Sequence, residues 1–206
     1  MFKKIIILIS LFFLTGCTQT YYLNNMSIED IININIASES DLHNVNNKGY
    51  KYNLPAGFSI YSDQDYNQVL LSENNKYYLN IDIVSYYYKN NITTEYEYDD
   101  YMYYTFENNN KNGYLRITKN NDYFFVELCY NYAIIEVEVK EEDLKYAVSR
   151  GMLILNSIKY NNLVITKFIE DNNIENSETL YKIPEPENKT DSKNILEYID
   201  ESEVED

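Results

Sequence analysis

Glycine and histidine are scarce in this sequence, and their scarcity excludes several classes of catalytic site. Only 5 of the 206 residues are glycine, and no Gly-rich phosphate-binding loop occurs. The single histidine, His43, excludes a zinc site built on two histidines, and its polar surroundings predict an exposed side chain without a catalytic role. Neither Ser-x-x-Lys nor Gly-x-Ser-x-Gly is present, so the sequence nominates no serine nucleophile.

Positive charge is also in short supply. The chain has 17 lysines and arginines against 33 acidic residues, which gives a net charge of -16. A chain this acidic is not expected to bind nucleic acid or anionic lipid through its overall charge. Tryptophan is absent, whereas tyrosine occurs 24 times and asparagine and isoleucine are frequent. The codon composition of an AT-rich genome would produce the same bias, which is an alternative explanation for the asparagine runs and tyrosine clusters.

The first 17 residues combine positive charge, an apolar run and a cysteine. Lys3 and Lys4 precede an almost wholly apolar run, residues 5–14. This run has the length of a signal-peptide core and is too short to span a bilayer, which needs about 20 residues. It leads into Leu14-Thr15-Gly16-Cys17, which resembles the lipobox of bacterial lipoproteins. The resemblance implies cleavage before Cys17 and attachment of lipid, including fatty acids such as palmitate, to that cysteine.

Lipid on Cys17 would hold the mature protein at the extracytoplasmic face of the cell membrane. Each acyl chain contributes about 0.8 kcal/mol per buried methylene, so two or three chains anchor a protein nearly permanently. The alternatives are an uncleaved N-terminal helix and a secreted protein with a chance cysteine. Cys129 would have no partner for a disulfide, and its place in a strand with alternating apolar residues predicts a buried, inert thiol; a free reactive thiol is the alternative.

The sequence divides into an anchor, a folded domain and an acidic tail. The predicted divisions are 1–16 (signal peptide), 17–46 (lipidated tether and short helix), 47–168 (α+β domain) and 169–206 (acidic, mostly disordered tail). The tether is the polar segment 18–25, and Ser27 with Asp30 forms a capping box for a helix over 27–38. The tail is predicted to be mostly disordered from Asn172 because its sparse apolar groups accompany a large excess of acids.

Alternation of apolar and polar residues predicts an antiparallel sheet within the domain. The clearest case is the segment 133–139, where Ile135, Val137 and Val139 alternate with polar or charged residues. Turn residues separate the predicted strands, which are 50–54, 58–61, 68–71, 79–83, 101–106, 115–118, 123–130 and 133–139. An amphipathic helix is predicted over 141–157, and a last apolar stretch over 158–168 is interrupted at Asn161-Asn162.

This order of elements predicts an α+β fold, in which an antiparallel sheet is packed by a long C-terminal helix and a short N-terminal helix. Leu54-Pro55-x-Gly57-Phe58 opens the pattern, and the segment Ile154 to Lys159 closes it. Together they resemble the PsbP/Mog1 type of domain over residues 51–162. The resemblance implies a sandwich of sheet and helix. It brings no catalytic motif and no partner-binding residue to this chain.

Two groups of tyrosines form the candidate recognition surface. They are Tyr86, Tyr87, Tyr88, Tyr96, Tyr98, Tyr101 and Tyr103. Tyrosine offers a large, rigid face with one polar group, and such faces recognise proteins or glycans. The alternative is structural, because tyrosine favours strands. The neighbouring Glu95, Glu97, Asp99 and Asp100 lack the spacing of a calcium loop and are predicted to form a solvated acidic loop.

These patterns favour a binding or assembly module over an enzyme. The sequence predicts a membrane-anchored lipoprotein that contacts an envelope protein or a cell-wall polymer, with no cofactor, no metal site and no nucleic-acid partner. The alternative is an envelope hydrolase that uses two carboxylates as acid and base. That alternative requires two carboxylates that converge in a pocket, one of them with a raised pKa, and the sequence gives no reason to choose a pair.

Overall fold

Seven of the eight predicted strands assemble into one large antiparallel sheet, and the strand predicted over 50–54 lies instead in a second, smaller sheet. The computed structural model describes residues 18–38, 41–92, 97 and 100–176, and the side chains from Tyr22 onward. The strands are β3 Phe58–Gln64, β4 Asn67–Ser72, β5 Asn75–Ile81, β6 Asp100–Asn108, β7 Lys111–Asn120, β8 Tyr123–Tyr130 and β9 Ala133–Lys140. Their order across the sheet is β3-β4-β5-β9-β8-β7-β6, and every neighbouring pair is antiparallel. The predicted antiparallel sheet is therefore confirmed.

A second, smaller sheet brings the beginning and the end of the domain together. Its strands are β1 Val45–Asn47, β2 Tyr50–Tyr52 and β10 Lys159–Tyr160, in the order β1-β2-β10. Strand β10 has only two residues, and it pairs with β2 across more than 100 residues of sequence. The sequence analysis did not predict this sheet, because a two-residue strand has no readable alternation.

Helices complete the α+β fold. They are α1 Thr18–Asn25, α2 Ile28–Ala37, α3 Ile83–Tyr88, α4 Leu144–Asn156 and α5 Asn162–Asp171, with a 3₁₀ turn at Glu141–Asp143 before α4. The predicted cap of α2 is confirmed, because the Ser27 hydroxyl accepts a hydrogen bond of 3.1 Å from the Asp30 backbone N–H. The amphipathic segment 141–157 corresponds to the 3₁₀ turn and α4, and α5 follows it as a further helix.

The core lies between the large sheet and helix α4. Leu79, Ile135, Leu128 and Leu115 stand opposite one another on four adjacent strands, and each is at most 1% exposed. Helix α4 approaches this row closely at Gly151, where an added Cβ would lie 2.8 Å from a methyl carbon of Leu128. Helix α2 packs against α4 and contributes buried isoleucines to the same core.

One predicted strand boundary is wrong, and two other segments gain a structure that the sequence did not indicate. The strand predicted over 79–83 ends at Ile81, because the Asp82 carboxylate accepts a 2.8 Å hydrogen bond from the Ser85 N–H and caps helix α3. The segment 18–25, predicted as a polar tether without an assigned secondary structure, is helix α1. Helix α2 contributes to the same core as the domain predicted over 47–168, and the compact unit that contains this core extends beyond α5 to Asn176. Residues 177–206 lie outside the described part of the chain.

Candidate functional site

A groove of about 520 Å³ lies between the small sheet and the first turn of α5. We call it the lysine groove. Its twelve lining residues are Asn46, Asn47, Lys48, Gly49, Tyr50, Lys51, Lys159, Tyr160, Asn161, Asn162, Leu163 and Val164. Within the described part of the chain, two short segments, 46–51 and 159–164, therefore line the groove.

Gly49 allows these two segments to meet. It has a φ of +87°, a conformation that residues with a side chain rarely adopt, and an added Cβ would lie 2.9 Å from Cγ1 of Ile165. The Gly49 carbonyl accepts a 2.8 Å hydrogen bond from the Asn161 N–H. Asn161 also caps α5, because its side-chain oxygen accepts a hydrogen bond from the Val164 N–H at 3.3 Å. The turn at Gly49 thus fixes the start of α5 beside strand β2.

Three lysines give the groove a positive charge. Lys51 and Lys159 stand directly opposite each other on β2 and β10, a pairing of like charges that destabilises a sheet. Lys48 lies at the rim, with its Nζ 4.5 Å from the centre of the Phe168 ring. No aspartate or glutamate is among the twelve lining residues. The ion pairs found among the described residues all belong to Arg116, so Lys51 and Lys159 have no carboxylate partner there.

One predicted recognition tyrosine, Tyr86, packs against the groove. Its ring stacks on that of Tyr160 with centres 4.0 Å apart, and its hydroxyl donates a hydrogen bond to the Asn162 side-chain oxygen. The Lys89 ammonium lies 3.7 Å from the centre of the same ring. Tyr86 is therefore occupied by contacts within the chain, and it holds α3 against one wall of the groove.

The remaining tyrosines do not join into one surface. Tyr87 is half-buried and meets Tyr88 edge-on, and the Tyr88 hydroxyl donates to the Ile174 carbonyl at 2.8 Å. Tyr101 is 54% exposed on the edge strand β6, and Tyr103 on the same strand is half-buried.

The two tyrosine groups lie at opposite ends of the sheet. Tyr101 packs on Phe124 beside the β7–β8 turn, whereas Tyr86 contacts Tyr132 in the β8–β9 turn. Tyr96 and Tyr98 lie outside the described residues. The recognition role of the tyrosines stays a prediction. The described tyrosines lie in two separate places and do not form one surface.

The face of the large sheet away from α4 carries a pair of carboxyl groups. Glu136 on β9 stands directly opposite Glu127 on β8, and Glu136 is only 7% exposed. Burial, and after it the charge of Glu127, raises the pKa of Glu136 from 4.5 to about 7. The Tyr114 hydroxyl donates a hydrogen bond to Glu127 Oε1. The two-residue turn between β8 and β9 fixes this pairing, so the sequence contained the signal for it.

This carboxyl pair lies outside the described cavities. It is absent from the lysine groove and from a second depression of about 440 Å³, which is lined by Asn33, Ile36, Ala37, Glu107, Asn108 and Asn109. The geometry therefore supplies an acid with a raised pKa next to a second carboxylate.

Two residues of the predicted acidic loop form ion pairs with an arginine of strand β7. Arg116 Nη2 lies 3.0 Å from a carboxylate oxygen of Glu97, and Arg116 Nε lies 3.6 Å from Asp100. The side chain of Asp100 is fully buried, so the prediction of a solvated loop is wrong for this residue. Glu95 and Asp99 lie outside the described residues. No group of three or more potential metal-binding side chains occurs in the described ranges.

The two remaining candidates, Cys129 and His43, are both at least partly buried. Cys129 is 2% exposed, so the predicted burial is confirmed, and burial raises the pKa of its thiol well above the ordinary value, which favours the unreactive thiol form. His43 is half-buried, which corrects the expectation of an exposed side chain, and its Nε2 has no hydrogen-bond partner among the described residues. Cys17 lies outside the described residues.

Within the described ranges, no helix has the length and apolar character needed to cross a membrane. Comparison with protein-family models, with curated proteins and with solved structures finds no match to this chain.

Proposed function

We propose that this protein is a membrane-anchored lipoprotein on the extracytoplasmic face of the cell. It acts there as a binding or assembly module for an envelope protein or a cell-wall component. The sequence of residues 1–17 supports the anchor, since charge, apolar length and the Leu-Thr-Gly-Cys motif agree. The observation that carries the binding role is the lysine groove, a solvent-open site whose three lysines have no acidic partner in its walls.

Helix α1 affects how the domain would be held at the membrane. It begins at Thr18, directly after the proposed lipidated cysteine, and Lys145 of α4 donates a 2.8 Å hydrogen bond to the Asn24 carbonyl near its end. At 1.5 Å per residue, a helix of this length spans about 12 Å. The domain would therefore stand close to the bilayer surface and would reach partners near the membrane.

We also propose that the finer fold is a PsbP/Mog1-like sandwich. The segment Leu54 to Phe58 leads into β3, and Ile154 to Lys159 connects α4 with β10, so both parts of the resemblance border the sheet and the helix that covers it. An experimental structure of the chain, superposed on members of that family, tests this assignment. A different strand order in the large sheet would contradict it.

The anchor and the binding role can be tested separately. Cys17→Ala should abolish incorporation of a labelled fatty acid, and label retained in the variant would contradict the lipid assignment. For the binding role, the intact lipoprotein is purified from detergent-solubilised membranes and incubated with isolated cell wall. We expect it to bring down a partner or to be retained by the wall. A protein that comes down alone and is not retained would refute the proposal.

A second candidate function, an envelope hydrolase, is favoured by one observation. Glu136 is a buried carboxyl with a pKa near 7, and Glu127 lies opposite it on the next strand, which is the pairing that acid–base hydrolysis needs. Incubation of the protein with wall fragments and peptides, compared with Glu136→Gln, tests this function. Turnover lost in the variant would support hydrolysis, and unchanged substrates with the unsubstituted protein would exclude it for those substrate classes.

A further inference from the structure

We propose that the lysine groove is a phosphate-binding site, and that its occupant is a phosphodiester-linked polymer of the cell envelope. The choice of an envelope polymer rests on the proposed function, whereas the phosphate chemistry rests on the groove itself. Nothing in the sequence patterns pointed to this site, because its two segments are more than 100 residues apart.

The first argument is charge. The whole chain carries -16, yet the described residues that line this groove include three lysines and no acid; the Asp63 carboxylate accepts a 3.2 Å hydrogen bond from the lining Asn47 but is not itself in the walls. Opposed residues in an antiparallel pair have Cα atoms about 4.5–5.5 Å apart. One phosphate can therefore contact the ammonium groups of both Lys51 and Lys159. Such an anion would replace the repulsion between these two lysines with two attractive contacts.

The second argument is the kind of hydrogen-bond donor. Lysine binds phosphate as a point charge, whereas planar carboxylates are recognised best by the fork of arginine, and the twelve described lining residues include no arginine. Asn46 stands opposite Lys51 on β1, which places an amide in the same row as the two lysines. Asn161 and Asn162 add further amides where α5 begins. The set of donors therefore favours a phosphate over the carboxylates of an acidic peptide.

The third argument concerns the shape of the occupant. Leu163 in the wall is 84% exposed and Val164 is 37% exposed, which gives the groove an apolar edge open to solvent. A polymer that alternates phosphate groups with short carbon linkers can place a phosphate between the lysines and a linker on this edge. A free phosphate ion would use only the lysines.

The test measures binding of three probes to the full chain in detergent. The probes are inorganic phosphate, synthetic poly(glycerol phosphate) and polyglutamate of similar length. We expect poly(glycerol phosphate) to bind more tightly than the other two. The variant Lys51→Gln/Lys159→Gln should weaken its binding about tenfold or more, because charge-assisted contacts are lost. Lys51→Arg/Lys159→Arg, which keeps the charges, should retain most of the binding.

A matched control removes the same charge elsewhere. Lys76 and Lys119 are exposed lysines of the large sheet that lie outside the groove. Lys76→Gln/Lys119→Gln should change poly(glycerol phosphate) binding less than about threefold, which is the part expected from net charge alone. A thermal melt of each variant checks the fold, and the groove variant should melt at or above the unsubstituted protein.

Several outcomes would overturn the proposal. Equal loss of binding in the groove and control variants would show a general charge effect, and equal affinity for polyglutamate would point to an acidic protein partner. Binding of phosphate without the polymer would refute the polymer assignment. Tighter binding to phosphatidylglycerol vesicles through the same lysines would show that the bound phosphate belongs to a lipid headgroup and would refute the polymer assignment. If the groove variant still brings down its envelope partner, the phosphate site fails while the proposed function stands.

Discussion

Reversing the charge of either Lys51 or Lys159 should stabilise this protein. The two residues stand directly opposite each other on β2 and β10, with no acidic residue in the walls of the groove around them. Like charges in this position destabilise a sheet, and opposite charges contribute roughly 0.2–1 kcal/mol. Lys51→Glu or Lys159→Glu replaces the repulsion with an attraction. Each single variant should therefore gain about 0.5–1.5 kcal/mol in its free energy of unfolding.

The double variant separates the effect of this lysine pair on stability from the effect of the overall charge. Each single reversal makes an already acidic chain more negative, which works against stability. Lys51→Glu/Lys159→Glu restores a like-charged pair, so the gain of the single variants should disappear. The coupling energy of the cycle isolates the pair. We expect about 1–3 kcal/mol, the sum of the two single gains, with a value near the lower end because Lys51 is exposed to solvent.

Thermal unfolding of the four proteins measures this cycle. A change of 1 kcal/mol shifts the melting temperature of a domain of this size by about 2–4 °C, so the single variants should melt higher by a few degrees. The differences should shrink in 1 M salt, where the Debye length falls to about 3 Å. Single variants no more stable than the original, with a double variant that is simply additive, would refute the argument that these lysines are held together against their repulsion.

Three further predictions concern other parts of the fold. Gly49→Ala should lower stability by about 1–2 kcal/mol, because its φ is positive and its Cβ would meet Ile165; an unchanged urea midpoint would contradict this. Because the pKa of Glu136 is raised, its contribution to the free energy of unfolding is fully present below pH 4.5 and is lost as the pH rises through about 7. Glu136→Gln should abolish that loss in thermal melts across pH. A chain ending at Asp171 should melt several degrees below one ending at Asn176, and equal melting would remove the segment between them from the domain.

Local patterns were sufficient to predict the centre of the sheet. Strands β8 and β9 were predicted almost to the residue, because their apolar and polar side chains alternate and turn residues separate them. Ser27 and Asp30 predicted the start of α2 because a capping box depends only on neighbouring residues.

Helix α3 escaped prediction because its residues favour strands. Ile83, Val84 and three tyrosines all have high β-propensity, and the alternation of the preceding strand continues through Ile83. The chain leaves the sheet because Asp82 caps the helix and its backbone N–H donates to the Tyr132 carbonyl at 2.9 Å. The second of these contacts is non-local and has no counterpart in the sequence pattern.

The candidate site could not be predicted from the sequence, because it too depends on non-local contacts. The groove depends on the pairing of β2 with β10 and on the contact between Gly49 and Asn161, which join distant segments. The residues Asn46-Asn47-Lys48-Gly49 are typical of a turn, but nothing in the sequence linked that turn to Lys159. Tyrosine clusters are conspicuous in the sequence, whereas three separated lysines become a site only when the chain folds.

Photo-crosslinking in intact cells tests most directly whether the lysine groove is where this protein binds its partner. A benzophenone side chain is placed at Leu163, an exposed residue of the groove wall, and at Tyr61, a residue of the large sheet that is 68% exposed. The proposal predicts a phosphate-containing adduct from position 163, its loss in Lys51→Gln/Lys159→Gln, and none from position 61. The absence of an adduct at 163, or an equal adduct at both positions, would contradict it.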